Sequence, residues 1–195
     1  MKFPVELRFK LLALANQISA TNADGGMICY VKQKMFKFKE HVEVFADRGK
    51  TTKLCDIKAN KVIDWSAKYA FTAPGGEVIG AVARSGMRSL WRAHYEIFDA
   101  DDNPVMTIRE ENPWVKLFDG IFGEIPIIGI FTGFFLHPKY IVKDRSGEAV
   151  FRLTKSRAFF EGIFKMDELR ESGETQDMLG FLSLLMMILL ERRRG

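Results

Sequence analysis

MLGFLSLLMMILL, residues 178–190, is apolar on every side and lies between Asp177 and the run Glu191, Arg192, Arg193, Arg194. A surface helix carries charge somewhere on its circumference, so a segment with none is enclosed by protein or by lipid. Length separates the two. At 1.5 Å rise per residue the run covers about 20 Å, short of the roughly 20 residues that a bilayer core of about 30 Å requires. The stretch therefore reads as a buried central helix over 177–191. Leu and Met favour helix, no Pro interrupts, and Asp177 and the three arginines put the stabilising sign of charge at each end of the dipole. With 195 residues, 47% of them hydrophobic, the chain supplies a single domain, 1–195, with one sizeable core.

What surrounds that helix follows from a unit that comes five times. Residues 18–21 and 27–34 are strand-like runs joined by Asn22-Ala23-Asp24-Gly25-Gly26, residues that tolerate positive φ. The unit returns at His41–Phe45 with a turn at Asp47-Arg48-Gly49, and at Lys68–Phe71 with a turn at Pro74-Gly75-Gly76. It returns again at His94–Phe98 with a turn from Asp99 to Pro104, and at Lys139–Val142 with a turn at Asp144-Arg145-Ser146-Gly147. Trp65-x-Ala67-x-Tyr69 and Trp91-x-Ala93-x-Tyr95 superpose without a gap at a spacing of 26 residues. Period-2 alternation excludes helical solenoids, and two strands per period exclude a propeller. Five hairpins give about ten strands, and residues 35–38 and 159–166 offer two more. A sheet of that size loses its edges by closing, and a barrel of some twelve strands is too wide for its own side chains to fill. The expected fold is mainly β: a closed antiparallel barrel of about twelve strands around the buried hydrophobic C-terminal helix. At the N-terminus Leu7, Leu11, Leu14, Ala15 and Ile18 fit helical spacing for about three turns, while Leu12, Leu14 and Ile18 also fit a strand entry.

A barrel of hairpins threaded by a C-terminal hydrophobic helix resembles the tubby C-terminal-like fold, and within it the LURP-one-related and phospholipid-scramblase-like proteins. Tyr30-Val31-Lys32-Gln33-Lys34-Met35-Phe36-Lys37-Phe38, followed by a strand and an Asp-containing turn over 42–49, resembles the opening of LURP-one-related proteins. The resemblance spans roughly 17–191. It implies phosphoinositide binding through basic residues on the barrel surface, as in tubby-like domains, or membrane association, as in scramblase-like ones. No motif carries the family's lipid-contacting positions onto this chain, and the scramblase relatives' cysteine-rich acylation segment and Pro-rich N-terminus have no counterpart.

Between the fourth and fifth units the spacing grows from 26 or 27 residues to 45, the excess being 112–138. This apolar insertion includes Phe131, Phe134 and Phe135, but Glu124, Pro126 and several glycines argue against a spanning helix. It either packs on the barrel or a second copy, or offers those phenylalanines to lipid, with Lys139 and Lys143 near the headgroups. Basic residues recur in two sets, Lys32 and Lys34 on one strand face and Arg84, Arg88 and Arg92 at a spacing of four. Such cations suit a phosphorylated headgroup, or form an ordinary solvated rim.

Catalytic and metal signatures do not assemble in the sequence. His41 and His94 start equivalent hairpins and His137 stands alone, so no metal is expected. No Gly-x-Ser-x-Gly or phosphate-cradling glycine loop occurs either. The expected protein is not an enzyme and needs no cofactor. Cys29 and Cys55 lie in strand runs and are expected reduced and buried, which places the chain in the cytoplasm, peripheral at the membrane if it binds lipid. A net charge of +4 permits anionic partners. Nucleic acid is not among those expected, because the phenylalanines belong to the core. Two function classes follow: a non-enzymatic lipid- or phosphoinositide-associating barrel, or a cytosolic structural or protein-interaction module, self-associating through 112–138.

Overall fold

The computed structural model of the chain describes residues 1–10, 15–34, 41–60, 67–85, 94–111, 139–156 and 161–191. Twelve antiparallel strands close into one barrel in which every strand pairs with its sequence neighbours, and β1 (Val5–Lys10) pairs with β12 (Glu161–Glu168) to seal it. The five hairpins of the sequence become β2 (Ala15–Thr21) with β3 (Met27–Lys34), β4 (His41–Phe45) with β5 (Lys53–Asn60), and β6 (Lys68–Thr72) with β7 (Val78–Arg84). They continue as β8 (His94–Phe98) with β9 (Pro104–Glu110), and β10 (Lys139–Asp144) with β11 (Ala149–Ser156).

The N-terminal segment departs from its helical spacing. Val5, Leu7 and Phe9 are fully buried at period 2, so β1 buries one face in the core, and a strand is what its position beside β12 demands. The strand expected over 159–166 is β12, shifted by two residues, while 35–38 lie outside the described residues.

The repeat extends to backbone detail. Each of the five hairpins shifts register next to its turn, at Ala20/Thr21, Val44/Phe45, Phe71/Thr72, Ile97/Phe98 and Val142/Lys143. A bulge there bends and twists the strand, which a closed barrel needs. Four turns place their fourth residue at positive φ: Gly25, Gly76, Asp102 and Gly147.

Helix α1 (Glu174–Glu191) runs through the barrel, with Leu179 to Leu189 buried without a break. Its side chains and the inward faces of the strands form one core. The helix passes closest to β7 and β8, where Gly80 makes the approach possible, and Gly180 does the same toward Phe151 of β11. A Cβ on Gly80 would stand 2.4 Å from both Leu179 Cδ2 and the Phe98 carbonyl oxygen, and one on Gly180 would stand 2.6 Å from Phe151 Cε2. Apolar side chains face in, while Arg8, Lys58, Arg109 and Lys155 face out, the reverse of a lipid-embedded barrel. Among the described residues no helix is long and apolar enough to cross a membrane.

Candidate functional site

Strict up-and-down topology gives the barrel two unlike ends. At one lie the five hairpin turns and the connection from β12 to α1, that is 22–26, 46–52, 73–77, 99–103, 144–148 and 169–173. These carry nine carboxylates against four cations. At the other end begin and finish the intervals 11–14, 35–40, 61–66, 86–93, 112–138 and 157–160, and there α1 finishes at Glu191, ahead of residues 192–195 in sequence. Together these hold ten cations against four carboxylates.

The described strands continue this polarity. Arg8, Lys32, Lys58, Arg109, Lys139 and Lys155 are all exposed, and each lies within two residues of the basic end of its strand. They come from β1, β3, β5, β9, β10 and β11 and so ring that end. Arg8 pairs with Glu6 across the outer face. Only closure of the barrel assembles the ring, since in sequence each residue is one cation in a separate strand. The signal was the recurrence of Lys or Arg near the same strand terminus; Lys139 was legible beside the insertion, whereas Arg8, Lys58, Arg109 and Lys155 were not.

The residues singled out by spacing have different fates. Lys32 is exposed on this rim, and Lys34 follows two positions on, its side chain outside the described residues. Arg84 is the last residue of β7, not part of a helical turn with Arg88 and Arg92. It follows Gly80 and Val82 on the inward face, and its side chain is only 19% exposed. The guanidinium reaches Glu191, the last residue of α1, at 3.8 Å and lies over the Tyr95 ring at 6.0 Å. Tyr95 donates its hydroxyl to the same Glu191 Oε1 at 2.6 Å. Burial, with the Glu191 charge beside it, drives the Tyr95 phenol far above its ordinary range. Tyr140, also buried and facing Glu110 across β9 and β10, is raised as well. Arg84 thus anchors the end of the helix inside the rim, with its guanidinium turned toward Glu191. Arg88, Arg92, Phe131, Phe134 and Phe135 lie outside the described residues.

Among the described residues, chemistry of other kinds is sparse. Both cysteines are free and buried, and burial pushes each thiol up to about 12, so neither is a nucleophile near neutral pH. On the barrel wall the sequence missed a cluster of His41, Glu43 and Asp56, which hairpin register brings together from β4 and β5. The His-x-Glu spacing was visible, but Asp56 joins it only through the pairing Glu43↔Asp56.

No protein-family model matches the chain, and no curated protein matches its sequence. A solved structure, that of a LURP-one-related protein from Arabidopsis thaliana, is similar in fold. The two share 12% sequence identity, with a TM-score of 0.51 over 98% of this chain and 92% of the other. The likeness links this barrel to the LURP-one-related family at the level of fold.

Proposed function

We propose that the chain is a non-enzymatic barrel protein that attaches to anionic lipid headgroups, phosphoinositides among them, by its basic end, on the cytoplasmic side of a membrane. The observation that carries this reading is the ring of exposed cations opposite an acidic end. A molecule of net charge +4 could scatter its charge evenly; this one sets six exposed strand cations at the end where α1 finishes. Near an anionic surface each basic residue contributes about 1 kcal/mol within a Debye length, so a ring of six suffices for peripheral binding. The acidic turns are repelled by the same surface and fix the orientation. The fold-level likeness supports a barrel of the tubby-like kind, and Phe131, Phe134 and Phe135 supply an apolar term if they enter the lipid.

Co-sedimentation with vesicles of neutral lipid, of phosphatidylserine and of phosphoinositide, at low and near-physiological salt, tests the proposal. Binding is expected to anionic vesicles alone and to weaken steeply with salt. Lys32→Glu with Lys58→Glu, Lys139→Glu and Lys155→Glu should abolish it, and Arg88→Glu with Arg92→Glu should weaken it, without lowering Tm. Phe134→Ser with Phe135→Ser should leave a weaker, wholly salt-sensitive remainder. Wild-type protein that stays in the supernatant with every anionic vesicle at low salt would discard the lipid reading in favour of an interaction module.

A further inference from the structure

We infer that His41, Glu43 and Asp56 form a binding site for a divalent transition metal ion, of the Zn2+ class, on the outer wall of the barrel, with Lys53 as an internal competitor. His41 and Glu43 stand two residues apart on β4 and share its outer face, while Asp56 on β5 is the register partner of Glu43. One ligand atom from each lies within 4.8 Å of the others, and among the described residues this is the single such group of three. The His41 imidazole already contacts the Asp56 carboxylate through Nε2. A tetrahedral ion with bonds of about 2.0–2.2 Å keeps its ligand atoms roughly 3.3 Å apart, so small rotamer changes on two rigid strands complete the triad. The His41 and Glu43 side chains are 42% and 43% exposed, which leaves an approach from solvent and a remaining coordination position for water.

The donor set selects the ion. One imidazole nitrogen with two carboxylate oxygens suits zinc and its neighbours in the transition series, whereas Mg2+ and Ca2+ prefer oxygen throughout. The cluster also behaves as a cation nest in the structure itself. The Lys53 ammonium lies 2.6 Å from Glu43 Oε1 and 3.3 Å from Asp56 Oδ1, bonded to both carboxylates the metal would use. A dication must therefore displace an ammonium that belongs to the chain. That competition separates a metal site from a plain ion-pair network, in which removing the lysine creates nothing. The inference stands apart from the lipid reading, since it concerns residues outside the cationic ring.

Titration calorimetry of the full-length protein with zinc chloride, and separately with magnesium chloride, decides the matter. The expected result is one equivalent of zinc bound by the wild type and much weaker magnesium binding. His41→Ala and Asp56→Asn should each weaken zinc binding at least about tenfold, as loss of a direct ligand does. Lys53→Met should tighten it about tenfold, a modest share of the repulsion between a dication and an ammonium at a partly exposed site. Far-UV circular dichroism of the metal-free variants checks folding, and Glu43→Gln stands in for any variant that fails it. Three results overturn the site: no saturable zinc binding by the wild type up to millimolar concentration, an unchanged affinity in His41→Ala, or an unchanged affinity in Lys53→Met. Magnesium binding as tight as zinc overturns the choice of ion.

Discussion

At the scale of single residues, the contacts that admit the helix matter more than any one charge. Gly80 and Gly180 both exist to let something approach, but the obstacles differ in kind. The Cβ of an alanine at Gly80 would meet the Phe98 carbonyl oxygen as well as Leu179, and a backbone atom held in the β7–β8 ladder cannot move aside. At Gly180 the obstacle is the edge of the Phe151 ring, a side chain that stacks on Phe3 with ring centroids 5.6 Å apart. Overpacking of a core costs about 1–3 kcal/mol. Gly180→Ala is expected within that range and Gly80→Ala at or beyond its upper end, with both measured as ΔΔG in denaturant melts. The opposite order would mean that strand and helix can separate more readily than the Phe151 ring can turn. Neither glycine was singled out by spacing, because the need for it arises between segments a hundred residues apart in one case and about thirty in the other.

At the scale of elements, the hairpin turns were the most legible part of the chain and also govern its response to acid. Asn22, Asp47, Asp99 and Asp144 open four of the five turns, and each accepts backbone N–H groups further along its own turn. That is short-range chemistry, and it is why Asx and Gly clusters located the hairpins from sequence. The β1 strand was not legible, because its helical spacing and its alternation coexist and only β12, some 155 residues away, decides between them. The contact of Arg84 was not legible for a related reason: its partner Glu191 arrives from the end of the helix. Three of the turn carboxylates, Asp47, Asp99 and Asp144, are held below the ordinary value of 3.8. The Thr52 N–H does so for Asp47 and the Asn103 N–H for Asp99, while the Ser146 hydroxyl, followed by the Arg170 guanidinium, lowers Asp144 to about 2. Depressed folded-state values stabilise fully above 3.8 and lose that contribution as pH falls through the folded values. The melting temperature should therefore decline between 3.8 and about 2. Asp144→Asn should have a lower Tm than wild type near neutral pH and a shallower decline through that window. Parallel Tm curves for the two proteins would mean that Asp144 titrates alike folded and unfolded.

At the scale of the whole molecule, barrel and helix are a single folding problem. Twelve strands enclose more volume than strand side chains fill, and α1 supplies the rest. Nine apolar side chains between Leu179 and Leu189 are buried. At about 1.5–3 kcal/mol for each fully buried large side chain, they contribute roughly 14–27 kcal/mol before conformational entropy is subtracted. Net stabilities of domains are about 5–15 kcal/mol, so the barrel without its helix falls below the threshold for a packed native state. Synthesis order sharpens this, since α1 is made after every strand and the lining stays exposed until it arrives. Deleting residues 174–195 should leave an expanded species that keeps β-type far-UV circular dichroism, binds a hydrophobic dye and melts without cooperativity. A point change makes the same case without shortening the chain. Leu185, fully buried at the middle of α1, becomes an unpaired interior ammonium in Leu185→Lys, a change expected to abolish soluble expression, whereas Leu185→Met keeps volume and apolarity and should express with a Tm close to wild type. A soluble Leu185→Lys protein with near-wild-type melting would mean that this helix face meets water, and with it the enclosure of α1 by the barrel would fail.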